Sequence, residues 1–191
     1  MKRLIYCTLV GLVLAGIVHI VIVLLIPSYA AKDAWAKLER SGEAWKFNVV
    51  SQPGSSVSLL PNVDPLFGVA ACRFDLSKAP LLVEAHGELP FWSVAIFDRQ
   101  GQNIYSFNDR TAIERRLSLI IVDAVQLAQL RKNPPPDSKK AVLVRSDTPK
   151  GFVLIRALRP DPSWQTAMTK FLTEARCRPY QSLIDVISGS N

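Results

Sequence analysis

The longest uninterrupted hydrophobic pattern lies at the start of the chain, over residues 4–26. These 23 residues contain no Asp, Glu, Lys or Arg, and 16 of them are Leu, Ile or Val. As a helix they would span roughly 34 Å, against about 30 Å for the hydrocarbon core of a bilayer. The pattern predicts one transmembrane helix, with residues 1–30 as a cytoplasmic stub and anchor and residues 31–191 as a separate domain.

The charges around this stretch predict its orientation. Lys2 and Arg3 precede it, and the first acidic residue is Asp33. The positive-inside tendency places the N-terminus in the cytoplasm and the domain on the far side of the membrane. The alternative is a signal peptide cleaved near Ala30, but the apolar core of a signal peptide usually has about 7–15 residues. We therefore expect the helix to be retained as an anchor.

One face of the predicted membrane helix differs from the others. Cys7, Gly11, Ala15 and His19 recur at every fourth residue and share that face. Small residues let a second helix approach closely, and an intramembrane histidine can hydrogen-bond to it. The pattern indicates either a helix–helix contact on this face or a lone anchor in which the small residues are incidental.

Short apolar runs separated by turn residues dominate the rest of the chain. The clearest, residues 91–97, is apolar on both faces, which is typical of a strand inside a sandwich, and it forms a predicted hairpin with residues 103–107. A second hairpin is predicted from residues 141–145 and 152–158. Further strands are predicted at residues 46–51, 57–60, 69–76, 81–85 and 117–122.

Helical patterns are fewer. Residues 31–40 and 123–130 predict short helices, while the three prolines in residues 131–140 predict an exposed loop. Asp161 and Pro162 are start signals for a longer helix. Its apolar face is formed by Trp164, Ala167, Met168, Phe171, Leu172 and Ala175. We predict a mainly β fold: a transmembrane helix, then an antiparallel β-sandwich with a C-terminal packing helix.

The net charge of +7 changes this picture little. Without Lys2 and Arg3, 21 basic and 16 acidic residues remain, which leaves +5 for the outer domain. These charges are scattered along the chain, so we expect no nucleic-acid partner. A solvated surface beside the lipid bilayer accounts for the balance.

Cysteine usage bears on the compartment. Cys72 and Cys177 are the two cysteines of the outer domain. They form either a disulfide, as an oxidising compartment would favour, or two buried free thiols. The chain has no CxxC pair or His/Cys cluster, and no Walker or GxGxxG pattern, so we expect neither a metal nor another cofactor.

Candidate catalytic residues are sparse. His86 is the one histidine outside the membrane stretch, and it lies between Glu84 and Glu88. A hydrolase would need a nucleophile aimed at this histidine, yet no GxSxG elbow occurs. We interpret His86 as a surface histidine and assign no catalytic residue.

The best polar candidates follow the predicted strand at residues 103–107. Tyr105, Asn108, Asp109 and Arg110 combine an aromatic side chain with hydrogen-bonding and charged groups. Arg110 would either pair with Asp98 across the hairpin or bind an anionic ligand. The set is therefore either a turn with an internal ion pair or a weak ligand site.

Three motifs carry a resemblance to a known family. They are Phe91-Trp92-Ser93, residues 108–110, and the apolar strand that ends at Arg159-Pro160. Over residues 64–164 the chain resembles the bacterial envelope domain-of-unknown-function family twelve-fourteen, whose frequent companion is family twelve-fifty-four. The resemblance implies a β-sandwich envelope domain, often one of a pair of small membrane-anchored proteins. It supplies no catalytic residues.

These observations leave three hypotheses. The preferred one is a non-enzymatic, single-pass protein of the bacterial inner membrane with its domain in the periplasm. It would act with a second membrane-anchored envelope protein in envelope assembly or maintenance. The second hypothesis is a glycan- or lipid-binding sandwich that uses Tyr105 and Arg110. The third is a hydrolase built around His86.

Overall fold

Two stacked β-sheets form the body of the protein. The computed structural model describes residues 1–54 and 64–189, so the strand predicted at residues 57–60 lies outside the described residues. In the described part, the strands are β1 (Asn48–Ser51), β2 (Phe67–Asp75), β3 (Leu81–Ala85), β4 (Trp92–Asp98), β5 (Asn103–Asn108), β6 (Leu117–Val122), β7 (Val142–Arg145), β8 (Lys150–Leu158) and β9 (Arg176–Pro179). Sheet A has the order β1-β2-β8-β4-β5, and sheet B has the order β7-β6-β3-β9.

The helices cover three sides of this sandwich. They are α1 (Lys2–Ser41), α2 (Ala124–Lys132), α3 (Gln165–Glu174) and α4 (Gln181–Ser188). α3 packs against the core between the sheets, where Met168, Phe171 and Leu172 are buried as its apolar spacing predicts. The expected architecture, an N-terminal apolar helix followed by a β-sandwich with a C-terminal packing helix, is confirmed.

The core between the sheets is formed by side chains that alternate along the strands. On β4, Trp92, Val94 and Ile96 point inward and are buried. The intervening positions of the strand are half-buried, because α1 covers part of the outer face of sheet A. Phe97 lies in this outer layer, with its ring 5.1 Å from that of Phe152. The two apolar faces of this strand thus contact the core on one side and the outer layer beside α1 on the other.

The N-terminal helix is longer than expected. The sequence predicts a membrane helix and a separate short helix at residues 31–40, but the structure has one helix of 40 residues. The helix continues through Pro27, although proline has no backbone N–H to donate. The good helix formers of residues 31–40 then extend it, because each added residue contributes one hydrogen bond. Its segment Lys2–Ile26 has a mean hydropathy of 3.1 and is long enough to cross a bilayer, and none of it is buried against the domain. Such a segment is compatible with a membrane anchor or a signal sequence.

The second predicted hairpin, from residues 141–145 and 152–158, does not form, so this prediction is wrong. β7 pairs in parallel with β6 in sheet B, while β8 lies between β2 and β4 in sheet A. Parallel pairing is possible because α2 lies in the connection from β6 to β7, and parallel strands need such a crossover. β8 pairs with β2 on one side and β4 on the other, so both of its edges are occupied and β7 cannot pair with it.

A strand without a sequence pattern completes sheet B. β9 has the sequence RCRP, and it pairs with β3 so that Cys177 lies opposite Val83. The Cys72–Cys177 disulfide therefore joins β2 of sheet A to β9 of sheet B, with the two Cα atoms 6.5 Å apart. Of the two alternatives for these cysteines, the disulfide is present.

The proline-rich segment is more ordered than an exposed loop. Residues Pro136–Lys140 form a short 3₁₀ helix, which begins at a proline because the first helical position needs no N–H donor. The buried Tyr180 donates its hydroxyl to Asp137 Oδ1 at 2.8 Å. Burial, and then the Asp137 carboxylate, raises the pKa of the Tyr180 phenol well above its ordinary value.

Candidate functional site at one end of the sandwich

Two loops form an open cleft at one end of the sandwich. One connects β3 to β4 across the sheets and contributes His86, Gly87, Glu88 and Leu89, and the other connects β5 to β6 and contributes Glu114, Arg115 and Arg116. The cleft has a volume of about 600 Å³, and Trp92 forms part of its wall. Its lining is therefore mixed in charge, with two guanidinium groups, two carboxylates and an imidazole.

The β5–β6 loop begins with a hydrogen-bonded turn at Asn108. The Asn108 side-chain oxygen accepts the backbone N–H groups of Arg110 and Thr111, at 3.1 and 3.3 Å. An Asn side chain that caps its own turn is a common way to end a strand. Asn108 is thus occupied in building the loop.

Asp109 is the most deeply buried charged residue of this loop. It is 1% exposed, and its Oδ2 accepts a hydrogen bond from Arg115 Nη2 at 2.8 Å. Its other carboxylate oxygen, Oδ1, has no hydrogen-bond partner among the described residues. A buried carboxylate needs a counter-charge, so Arg115 is held in place at the cleft by Asp109.

The expected pairing of Arg110 with Asp98 is not the one found. Asp98 is buried and accepts the backbone N–H of Gln102 at 2.8 Å, which closes the β4–β5 turn. The ion pair of the loop joins Asp109 to Arg115 instead. The turn thus contains an internal ion pair, as one of the two interpretations expected, but the pair is formed by other residues. A buried carboxylate needs a cation beside it, and the loop places Arg115 next to Asp109.

The end of the β5–β6 loop has an unusual backbone. Glu114 and Arg115 both have φ of +53°, in the left-handed region that side chains disfavour. Arg115 is anchored by Asp109, and Glu114 lies 3.6 Å from Lys140 Nζ. These contacts hold the loop in this conformation, which places Arg115 and Arg116 along the cleft.

His86 lies between two clefts. It is exposed and lines both the cleft just described and a second one of about 800 Å³. The second cleft lies along the exposed side of β9, where Arg178 Nη2 approaches Glu84 Oε2 at 3.1 Å. Within the residues that the structure describes, no group of three or more His, Cys, Asp and Glu side chains could hold a metal ion.

The four polar residues singled out from the sequence do not form a common lining for either described cleft. Tyr105 and Arg110 are exposed, and neither belongs to the described lining of either cleft. Sequence reasoning missed Arg115 and Arg116, although two adjacent basic residues directly before a buried strand are visible in the sequence.

The membrane-face residues lie on one continuous helix. Cys7, Gly11, Ala15 and His19 are all exposed on α1, and a Cβ added at Gly11 would meet nothing within 4 Å. The stripe is therefore open to a neighbouring helix.

Comparison with known families identifies the domain. Residues 44–179 match the family described as Protein of unknown function (DUF1254). The chain belongs to this family. The resemblance to family twelve-fourteen is not confirmed, and the family expected as its companion is the one that matches. The matched range contains every strand from β1 to β9, together with both clefts.

Two solved structures resemble the DUF1254 domain. The VPA0106 protein from Vibrio parahaemolyticus superposes with a TM-score of 0.60 at 13% identity, over 83% of this chain and 37% of its own. A putative uncharacterized protein from Burkholderia cenocepacia superposes with a TM-score of 0.50 at 12% identity, over 82% of this chain and 41% of its own. At these identities the likeness concerns the fold, and this chain spans about two fifths of the length of each. No curated protein matches the chain.

Proposed function

We propose that this DUF1254 chain is a non-enzymatic, single-pass protein of the bacterial inner membrane. Its sandwich stands in the periplasm, and it acts through a second membrane-anchored protein in envelope assembly or maintenance. The observation that carries the proposal is the division of α1: residues Lys2–Ile26 have no protein cover, while Trp35 and Leu38 pack against sheet A. An apolar surface of that size is stable in lipid and unfavourable in water.

The disulfide supports the compartment. Cys72–Cys177 connects the two sheets of the sandwich, and structural disulfides persist in oxidising compartments such as the periplasm. Lys2 and Arg3, which precede the apolar segment, favour a cytoplasmic N-terminus.

The proposed contact with the partner is the stripe of Cys7, Gly11, Ala15 and His19. Small side chains let helix backbones approach within the bilayer, where packing drives association. His19 is a polar group in lipid, and a partner that accepts or donates a hydrogen bond would stabilise it there.

Crosslinking through the native Cys7 tests this contact. A thiol-reactive crosslinker applied to native membranes should join the chain to one neighbour, and Gly11→Leu should abolish the product. Gly16→Leu is the matched control, because Gly16 lies about 120° around the helix from the centre of the stripe. If no neighbour is captured, or if both variants behave alike, the stripe is not a contact surface.

A second candidate function is binding of an envelope glycan or lipid headgroup. The cleft favours it, because Arg115 and Arg116 both line it and guanidinium groups bind phosphate or carboxylate. Arg116→Gln should then weaken binding of the full-length protein on glycan and lipid arrays, as should the pair Tyr105→Ala and Arg110→Ala if the exposed end of β5 takes part. Arrays without a specific ligand would rule this function out.

The enzyme hypothesis requires a nucleophile beside His86. In the described part of the chain, no Ser or Cys is hydrogen-bonded to this histidine, and the groups that share its cleft are Glu88, Glu114 and two arginines. We propose no reaction for this site. Hydrolysis of envelope substrates by the purified protein, lost in His86→Ala, would overturn the non-enzymatic assignment.

A further inference from the structure

The contacts of α1 show the direction in which this helix crosses the sandwich. The Trp35 ring lies 6.4 Å from the ring of Phe152 on β8, and the guanidinium of Arg99, just past β4, lies 5.6 Å from the Trp35 ring. At the end of the helix, the Gly42 carbonyl accepts a hydrogen bond from Arg73 on β2 at 2.7 Å. Gly42 also lies against the Asn48 side chain on β1. The chain therefore crosses sheet A from β4 and β8 towards β2 and β1.

The contacts indicate that the helix crosses the strands at an oblique angle. Seven residues separate Trp35 from Gly42, which is about 10 Å along a helix axis. Two strand spacings separate β8 from β1 in the sheet order, which is also about 10 Å. Asn48 is level with Ala71, whereas Phe152 is level with Arg73. The path therefore also shifts by two residues, about 7 Å, along the strands, and the helix crosses them obliquely.

Towards the membrane, α1 continues past β4 and β5. α1 is continuous, so Ile26 lies about 13 Å before Trp35 along its axis. In that direction β4 follows β8, and the edge strand β5 lies two spacings, about 10 Å, away. Because the path is oblique, the end of the apolar segment falls close to β5, and β5 is the strand of sheet A closest to the bilayer.

The chemistry of the β5 edge suits lipid headgroups. Tyr105 is 42% exposed there, and tyrosine is enriched where membranes meet water. Arg99 and Arg110 flank the strand and are exposed, while Asp98 and Asp109 beside them are buried. The exposed charges of this edge are therefore positive, opposite in sign to anionic lipids.

We propose that the β5 edge rests on the headgroup layer of the membrane that holds α1. The strands of sheet A are then inclined to the bilayer plane, and β1 is the strand farthest from it. Contact with the headgroups also covers a sheet edge that has no further strand partner among the described residues, and such an edge is open to pairing with another chain. This inference rests on the proposed retention of α1 as an anchor.

Depth-dependent fluorescence quenching tests the orientation. The full-length chain carrying Cys7→Ala receives one new cysteine, either Ser106→Cys on β5 or the matched control Val49→Cys on β1, both at exposed positions. Each variant is labelled with bimane in nanodiscs that contain anionic lipid and nitroxide-headgroup lipid. The two strands are four spacings apart, which is about 19 Å. Quenching at position 106 should therefore be several-fold stronger than at position 49.

Two outcomes would overturn the proposal in different ways. Equal quenching at the two positions, or stronger quenching at position 49, in a chain that resists carbonate extraction from native membranes, would refute the orientation alone. Release of the chain by carbonate would refute both the orientation and the anchored function on which it rests.

Discussion

Removing the Cys72–Cys177 disulfide should destabilise the domain strongly. The bond closes a loop of 105 residues between the two sheets. For a loop of about 100 residues, the loss of chain entropy in the unfolded state is worth about 4.7 kcal/mol at 25 °C. Both half-cystines are buried, at 0% and 5% exposure, so replacement by alanine removes little else than the bond and a small volume.

Urea unfolding of the full-length protein in nanodiscs measures this effect. With a denaturant slope of about 2 kcal/mol per molar, a loss of that size lowers the midpoint by about 2 M. The buried Trp92 provides the fluorescence signal. Cys7→Ala is the matched control, because Cys7 is a free, exposed cysteine on the apolar segment. An unchanged midpoint in Cys72→Ala/Cys177→Ala would refute the entropic reasoning and indicate that the sheets are held by packing alone.

Three further predictions concern the sandwich. Trp92→Ala, which removes a ring 1% exposed between two phenylalanines, should cost about 3–5 kcal/mol in the free energy of unfolding by urea titration. Gly151→Ala should destabilise more than Gly68→Ala in the same assay, because its new methyl group meets the Phe97 carbonyl oxygen, whereas at Gly68 it meets the movable ends of side chains. Because the pKa of Tyr180 is raised in the folded state, its contribution to folding stability is complete below pH 10, the ordinary phenol value, and is lost at higher pH. In thermal melts, Tyr180→Phe should therefore lower stability less above pH 10 than below it. Equal losses at the two pH values would contradict this.

The local elements of the fold were visible in the sequence. The β4–β5 hairpin was predicted because an apolar run and its partner flank a short turn, where Gly101 adopts φ of +78°. α3 was predicted because Asp161 precedes it and its apolar residues recur with helical spacing. Each of these signals lies within one short, continuous stretch of chain, which contains all the information needed.

The candidate site was less visible, because it depends on which loops meet. Arg115 and Arg116 are adjacent in the sequence, but nothing there indicates that a loop containing His86, nearly thirty residues earlier, lies opposite them. Asn108 and Asp109 do lie in a turn, but the ion pair expected there was Arg110 with Asp98, and the one present joins Asp109 to Arg115. This ion pair depends on the left-handed turn at the end of the loop.

Hydrophobic periodicity is a local property, and it was enough to predict an apolar N-terminal helix and a mainly β domain with a packing helix. The pairing of the strands is not local: β7 and β8 belong to different sheets, and β9, four residues with little strand character, completes sheet B. The continuation of α1 past the apolar segment to pack on sheet A is not local either. These features arise from competition among distant partners for the same backbone and apolar surface, and that competition is settled only when the whole domain is assembled.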